Sequence, residues 1–148
     1  MKAVQIDNYS KTIDSVKIRE VSIPEIKPDE VLIRVKSVGI NPVDNMITRG
    51  DVKLITPYSF PLTIGNELAG VIEKTGEKVT EFKEGDRVFS RLPTNKIGAF
   101  AEYVAINKKD LAKIPEYLSF NEAAAIPLTA LTAYQALNIL QLKLGETL

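Results

Sequence analysis

The 148 residues suit one domain of ordinary size, and a hydrophobic content of 45% can supply a core. The charged side chains cancel to zero formal net charge, so the basic surface of a nucleic-acid binder or a polybasic membrane binder is not expected. The sequence contains no cysteine and no histidine, the usual zinc ligands and catalytic thiol or imidazole groups. An enzyme built from this chain must therefore use carboxylates, amides, hydroxyls, lysines or a cofactor.

Targeting and membrane signals are not expected from the sequence. The N-terminus enters a strand pattern at once, without the apolar region of about 7 to 15 residues that marks a signal peptide. No apolar run approaches the ~20 residues needed to span a bilayer. We therefore expect a cytoplasmic protein that binds neither membrane nor nucleic acid.

Short strands separated by glycine and proline turns fill the first hundred or so residues. Alternating hydrophobicity predicts strands over 1–6, 15–21, 31–38, 68–75, 87–92 and 99–106. In the clearest of these strands, Val31, Ile33 and Val35 are expected to face the core. This organisation predicts a mainly β fold with some helix, built as a small, partly open β-barrel.

A short helix is predicted directly after the third strand. Asn41 is a preferred N-cap residue, Pro42 fits the first helical position, and Asp44 in the first turn favours the positive end of the helix dipole. The helix should run to about Arg49 and stop at Gly50. Asn41 thus has a structural role available besides any functional one.

The stretch 63–73 carries one carboxylate among apolar residues, that of Glu67. Burial of a carboxylate without a partner is costly, which makes Glu67 a site candidate. The alternative is an exposed glutamate at the start of a strand. Upstream, the proline-punctuated loop 51–61 carries Tyr58 and Phe60, the aromatic side chains expected to overhang a cleft.

The pattern becomes helical after residue 110. Residues 119–122 form a capping box that opens a helix through Ala125, and Pro127 fits the first position of a second helix that ends near Leu140. Residues 146–148 resemble the beginning of a strand. We interpret the chain as a fragment cut at a domain boundary, with one domain over 1–118 and a helical connection to a truncated nucleotide-binding domain over 119–148.

Seven short motifs, in order, carry a family resemblance. They are K-A-V at 2–4, P-x-x-x-P-D-E-V-L-I-R-V at 24–35, G-I-N-P-V-D at 39–44, G-N-E-L-A-G-V-I at 65–72, G-D-R-V-F at 85–89, G-A-F-A-E-Y-V at 98–104 and A-A-A-I-P-L-T-A-L-T-A-Y at 123–134. The whole chain resembles the N-terminal GroES-like domain of the medium-chain dehydrogenase/reductase superfamily, in its zinc-independent quinone oxidoreductase branch.

The resemblance implies a site without zinc. Zinc-dependent members of the superfamily have cysteine at the position of Asn41, histidine at that of Asn66, and a third ligand at or near Leu128. Their four-cysteine structural lobe would fall between the strands at 85 and 99, where this chain has a short loop. Composition and resemblance therefore agree that no metal is bound.

The resemblance also assigns site residues. The position of Asn41 lies near both nicotinamide and substrate, and that of Thr132 faces the nicotinamide ring. We expect Asn41 and Tyr58 to be catalytic, with Tyr58 or water as the proton source. The structural alternatives are that Asn41 is only an N-cap and that Thr132 is only a packed helix residue.

The expected substrate pocket contains Met46, Tyr58, Asn66 and Glu67. Met46 stands where many relatives have an aromatic residue, which weakens stacking on a quinone ring. Glu67 matches a glutamate that lies next to the metal in zinc-dependent members. A small enone or aldehyde is thus as good a substrate as a quinone.

The implied reaction is hydride transfer from NADPH to a quinone or an α,β-unsaturated carbonyl. Dinucleotide binding needs a glycine-rich turn between strand and helix, which these residues lack, so the chain alone should be inactive and the cofactor bound mainly by another domain. The full-length protein is a candidate homodimer. Two alternatives are a co-chaperonin-like binding module and a non-catalytic regulatory or interaction protein that keeps the GroES-like fold.

Overall fold

The structure is a computed structural model that describes residues 1–141, 145 and 146. These residues form two antiparallel sheets and three α-helices. In chain order the elements are β1 (Lys2–Ile6), β2 (Val16–Glu20), β3 (Glu30–Gly39), α1 (Pro42–Arg49), β4 (Leu62–Thr63), β5 (Glu67–Thr75), β6 (Arg87–Arg91), β7 (Tyr103–Asn107), β8 (Ala112–Lys113), α2 (Phe120–Ala124) and α3 (Pro127–Leu140).

The smaller sheet has the strand order β2-β1-β4, and the larger sheet has the order β7-β3-β5-β6-β8. Strand β3 lies between β7 and β5, and its last residue, Gly39, is paired with Glu67, the first residue of β5. The end of β3 and the start of β5 therefore meet at one edge of the larger sheet. The predicted mainly β, partly open architecture is confirmed, with the sheets left open.

The predicted strand over 99–106 begins later than expected, at Tyr103. Residues 99–102 instead connect the two sheets. Val4 N donates to Phe100 O (2.8 Å), and Glu102 bonds on both sides, its N donating to Lys2 O (3.0 Å) and its O accepting from Val35 N (2.9 Å). Pairing with both β1 and β3 bends this segment out of a regular strand.

The core lies against β3, β5 and β6. Val31 and Ile33 are fully buried, as predicted, whereas Val35 is only partly buried. Leu32, on the opposite face of β3, is also buried, and α2 packs against β3 and β5. A second apolar cluster forms there around Ala69, Ala123 and Ala124.

The predicted helices are confirmed. Gly50 terminates α1 in the left-handed conformation (φ 79°), where glycine is favoured. The capping box of α2 forms as expected, with Ser119 N donating to Glu122 Oε2 (2.8 Å). The predicted strand start at 146–148 lies outside the described residues except for Glu146. None of the helices in the described part of the chain has the length and apolar character that crossing a bilayer requires.

Candidate functional site

Four buried polar side chains meet where β3 ends, α1 begins and β5 begins. They belong to Asn41, Asp44, Asn66 and Glu67, and each is no more than 7% exposed. The sheet register brings them together, because Gly39 at the end of β3 pairs with Glu67. We call these four residues the polar cluster.

Glu67 connects the polar cluster to α3. Its Oε1 accepts a hydrogen bond from Asn41 Nδ2 (2.6 Å), and its Oε2 accepts one from the backbone N of Leu128 (2.7 Å). Glu67 is 1% exposed, so the alternative of an exposed glutamate at a strand start is wrong. Because Leu128 lies in the first turn of α3, the carboxylate also faces the positive end of that helix dipole.

Asp44 connects the other two residues of the polar cluster, Asn41 and Asn66, through its two carboxylate oxygens. Its Oδ2 accepts from the backbone N of Asn41 (2.7 Å), and its Oδ1 accepts from Asn66 Nδ2 (2.7 Å). Asn41 occupies the N-cap of α1 as predicted, in a capping-box arrangement with Asp44, but its side chain makes no full hydrogen bond to the helix. The Asn41 amide is instead bonded to Glu67.

The two carboxylates fix the orientation of the two amides. Carboxylate oxygens accept hydrogen bonds, which places Nδ2 as the atom of Asn41 facing Glu67 and as the atom of Asn66 facing Asp44. An amide nitrogen carries two N–H groups. Among the described residues, Asn41 Nδ2 makes one hydrogen bond, to Glu67, which leaves its second N–H for another acceptor, and the same holds for Asn66 Nδ2, whose one bond is to Asp44.

The remaining predicted site residues, Thr132, Met46 and Tyr58, lie outside the polar cluster. Thr132 is one helical turn after Leu128 in α3, exposed, with its hydroxyl donating to Leu128 O (2.7 Å). Met46 lies in α1 and is partly exposed. The Tyr58 hydroxyl donates to Thr94 O (2.8 Å), away from the polar cluster, and burial raises the pKa of this phenol. A raised pKa keeps Tyr58 protonated at neutral pH.

Two residues of the site were missed by sequence reasoning. The sequence predicts for Asp44 only a favourable position at the helix dipole, and no local signal indicates its bond to Asn66, which lies 22 residues further along the chain. Gly39 is the last residue of β3 and is not predicted to have a role in the site. A Cβ added there would overlap the Glu67 carboxylate, so the missing side chain makes room for Glu67.

Gly39→Ala is therefore expected to displace Glu67 and lower the free energy of unfolding by about 1–3 kcal/mol, the usual cost of overpacking a filled site. Urea denaturation of the variant and the wild type measures the difference. Gly85→Ala is the control, because a Cβ at Gly85 meets nothing within 4 Å, although its left-handed backbone (φ 86°) adds a strain of its own. If Gly39→Ala unfolded at the same urea concentration as the wild type, Glu67 would have space to move away from the added methyl group.

The described residues contain no group of three or more His, Cys, Asp or Glu side chains placed to hold a metal ion. Asp44 and Glu67 each use both carboxylate oxygens on N–H donors of the chain. The polar cluster is thus arranged to orient amides.

Residues 27–116, more than half of the chain, match the family model described as the alcohol dehydrogenase GroES-like domain. The chain belongs to this family. The matched range contains the whole polar cluster and every strand of the larger sheet. The resemblance to a GroES-like domain inferred from the seven motifs is therefore confirmed.

Relatives of this family member are named as reductases. The chain is 36% identical over 137 residues to a chloroplastic quinone-oxidoreductase homolog of Spinacia oleracea, covering 93% of the chain and 42% of the relative. It is 34% identical over 155 residues to the chloroplastic NADPH-dependent alkenal/one oxidoreductase of Arabidopsis thaliana, covering 100% of the chain and 40% of the relative.

A solved structure of the quinone oxidoreductase from Coxiella burnetii superposes with a TM-score of 0.89 at 29% sequence identity, covering 99% of the chain and 47% of that protein. The chain thus spans less than half the length of the curated relatives and of the solved structure that it matches.

Proposed function

We propose that the chain is the substrate-side domain of a zinc-independent, cytoplasmic NADPH-dependent oxidoreductase that reduces quinones or α,β-unsaturated carbonyls by hydride transfer. The names of the relatives support both substrate classes and the cofactor. The replacement of cysteine and histidine by Asn41 and Asn66 supports chemistry without zinc.

One observation carries the proposal: Asn41 keeps a free N–H while Glu67 holds its amide in place. Hydride addition to an enone or quinone places negative charge on the carbonyl oxygen, and a preorganised hydrogen-bond donor stabilises that charge. The chain has neither histidine nor cysteine, and the Asn41 amide is a donor that is already held in place by a hydrogen bond.

The residues around α3 fit a cofactor beside the polar cluster. Thr132 is exposed one turn from the Leu128 N–H that Glu67 binds, so its side can be approached by a nicotinamide ring. When bound, NADPH supplies the hydride. The part of this chain is to orient the acceptor carbonyl through Asn41 and to keep α3 in position. Tyr58 stays protonated at neutral pH and is one source of the final proton, with water as the other.

We further propose that the dinucleotide is held mainly by a second domain that packs against α3. The helix is exposed along an apolar stripe in which Leu131 is 47%, Tyr134 64% and Leu137 45% exposed. A surface cavity of about 410 Å³ lies beside it, between α3, β6 and β8. Apolar surface of this extent is typical of an interface. Residues 119–148 would then connect the two domains.

The test is oxidation of NADPH, followed by its absorbance at 340 nm, by the whole polypeptide that carries these residues. We expect turnover with 9,10-phenanthrenequinone or trans-2-hexenal, undiminished by chelators. Asn41→Ala should lower kcat by about 10²- to 10³-fold, the usual cost of losing an oxyanion donor. NADPH binding without turnover of either acceptor would instead support a non-catalytic regulatory or interaction protein.

A further inference from the structure

We infer that Glu67 is the positioning residue of this site: its carboxylate sets which way the Asn41 amide points and ties that amide to α3. The inference concerns the structure of the polar cluster, and only its catalytic consequence rests on the proposed function.

The carboxylate of Glu67 joins two separate elements of the structure. Oε1 binds the residue before α1, and Oε2 binds the first turn of α3, which is 61 residues further along the chain than Glu67. The N-cap residue of α3, Ile126, makes no side-chain cap bond. Glu67 therefore supplies to α3 an acceptor that its own N-cap lacks. Asn41 and the helix carrying Thr132 are thereby held in a fixed relation.

The Asn41 amide can satisfy its surroundings in only one orientation. Its Nδ2 donates to Glu67, while its Oδ1 lies toward the backbone N–H of Asp44 in the capping-box arrangement without a full hydrogen bond, because that N–H donates to Asn41 O (3.0 Å). Turning the amide over would place Nδ2 against an N–H donor. The bond to Glu67 is thus the contact that sets the orientation of the Asn41 amide, with its second N–H directed away from Glu67.

Position 67 needs a carboxylate because its two oxygens face two N–H donors, those of Asn41 and Leu128. The Leu128 N–H belongs to the backbone and cannot reverse, so a glutamine at 67 would have to turn its oxygen toward Leu128. Its NH2 group would then face Asn41 Nδ2, donor against donor. Glu67→Gln keeps the shape of the side chain and breaks the hydrogen bond to Asn41.

A complementary pair of substitutions follows from this geometry. Asn41→Asp alone places two carboxylates against each other. Combined with Glu67→Gln, the new carboxylate accepts from the glutamine NH2, and the glutamine oxygen accepts from the Leu128 N–H. The double variant restores the hydrogen bonds that position 67 makes to position 41 and to Leu128, removes the second N–H of Asn41, and moves the negative charge from position 67 to position 41.

The experiment measures thermal unfolding of the wild type, the two single variants and the double variant at pH 7. Each single variant should lose about 3–10 °C in Tm, and the double variant should return to within about 2 °C of the wild type. Additive losses in the double variant would overturn the inference. So would a Glu67→Gln variant that melts with the wild type.

A spectroscopic readout separates positioning from general destabilisation. In the wild type, the Asn41 side-chain NH2 signals in ¹H–¹⁵N spectra should exchange slowly with solvent, and rapid exchange would contradict the proposed bond even if no variant folded. Glu67→Gln should shift these signals. The control is Glu30→Gln, which alters another buried carboxylate, paired with Lys96 at 2.6 Å, and should leave them in place.

Activity of the whole polypeptide then tests the catalytic consequence separately. If Asn41 donates to the substrate, the double variant should melt like the wild type and lose kcat by about 10²- to 10³-fold. A double variant with restored Tm and full kcat would leave Glu67 as the positioning residue and show that the proposed donor role of Asn41 is wrong.

Discussion

Replacing Asp44 with alanine is expected to lower the free energy of unfolding by about 3–5 kcal/mol. The substitution leaves two donors, Asn66 Nδ2 and the backbone N of Asn41, without their acceptors. Asn66 is 2% exposed, so water cannot replace the lost bond easily. Each buried unsatisfied donor costs about 1–3 kcal/mol, and losing the acidic residue from the first turn of α1 adds about 0.3–1 kcal/mol.

Urea denaturation followed by circular dichroism measures this loss. The matched control is Asp51→Ala, just after the same helix, where the aspartate is exposed and bonds Arg49 at 3.0 Å. An exposed ion pair contributes about 0–1 kcal/mol, so this variant should remain close to the wild type. Equal losses in the two variants would mean that Asp44 acts only as a surface charge.

The fold was predictable because its signals are local. Alternation over 31–38 and the Asn41 to Asp44 helix start each depend on residues adjacent in sequence, and both elements form where expected. The strand predicted from Ala99 begins only at Tyr103, because the conformation of the preceding residues depends on contacts with distant parts of the chain. Its first residues bond to β1 and β3, and such distant partners leave no mark on the local pattern.

The polar cluster was only partly predictable. Glu67 could be singled out because a carboxylate among apolar residues needs partners, but the partners themselves come from positions 26 and 61 residues away. Asn41 could be recognised as an N-cap, but its side-chain amide donates to Glu67 and not to a helix acceptor. In the capping box, the backbone N of Asn41 donates to the Asp44 carboxylate. Residue type indicates the need for a bond, and only the sheet register decides which group meets it.

Asn41→Asp is expected to make stability depend on pH in a way that the wild type does not. The introduced carboxyl would lie against Glu67 Oε1, which is 2.6 Å from Asn41 Nδ2, and two like charges at this distance cannot both ionise freely. The neighbouring negative charge therefore raises the pKa of the introduced carboxyl in the folded state above its value in the unfolded chain.

The sign of the effect follows from proton binding. Where the folded state binds more protons than the unfolded state, stability falls as pH rises. Compared with the wild type, the variant should be nearly normal below about pH 4, the ordinary range of aspartate, and should lose stability progressively toward neutrality. At pH 7 the loss should reach about 3 kcal/mol, the order expected for an uncompensated buried charge.

Urea denaturation of variant and wild type from pH 3.5 to 8 gives the difference at each pH. Asn45→Asp is the control, because Asn45 is exposed in the same helix, where a new carboxylate stays hydrated. Its stability difference from the wild type should stay within about 0.5 kcal/mol across the range. A constant deficit in Asn41→Asp would assign the loss to the missing amide donor, and no deficit at any pH would mean that position 41 is not in contact with Glu67.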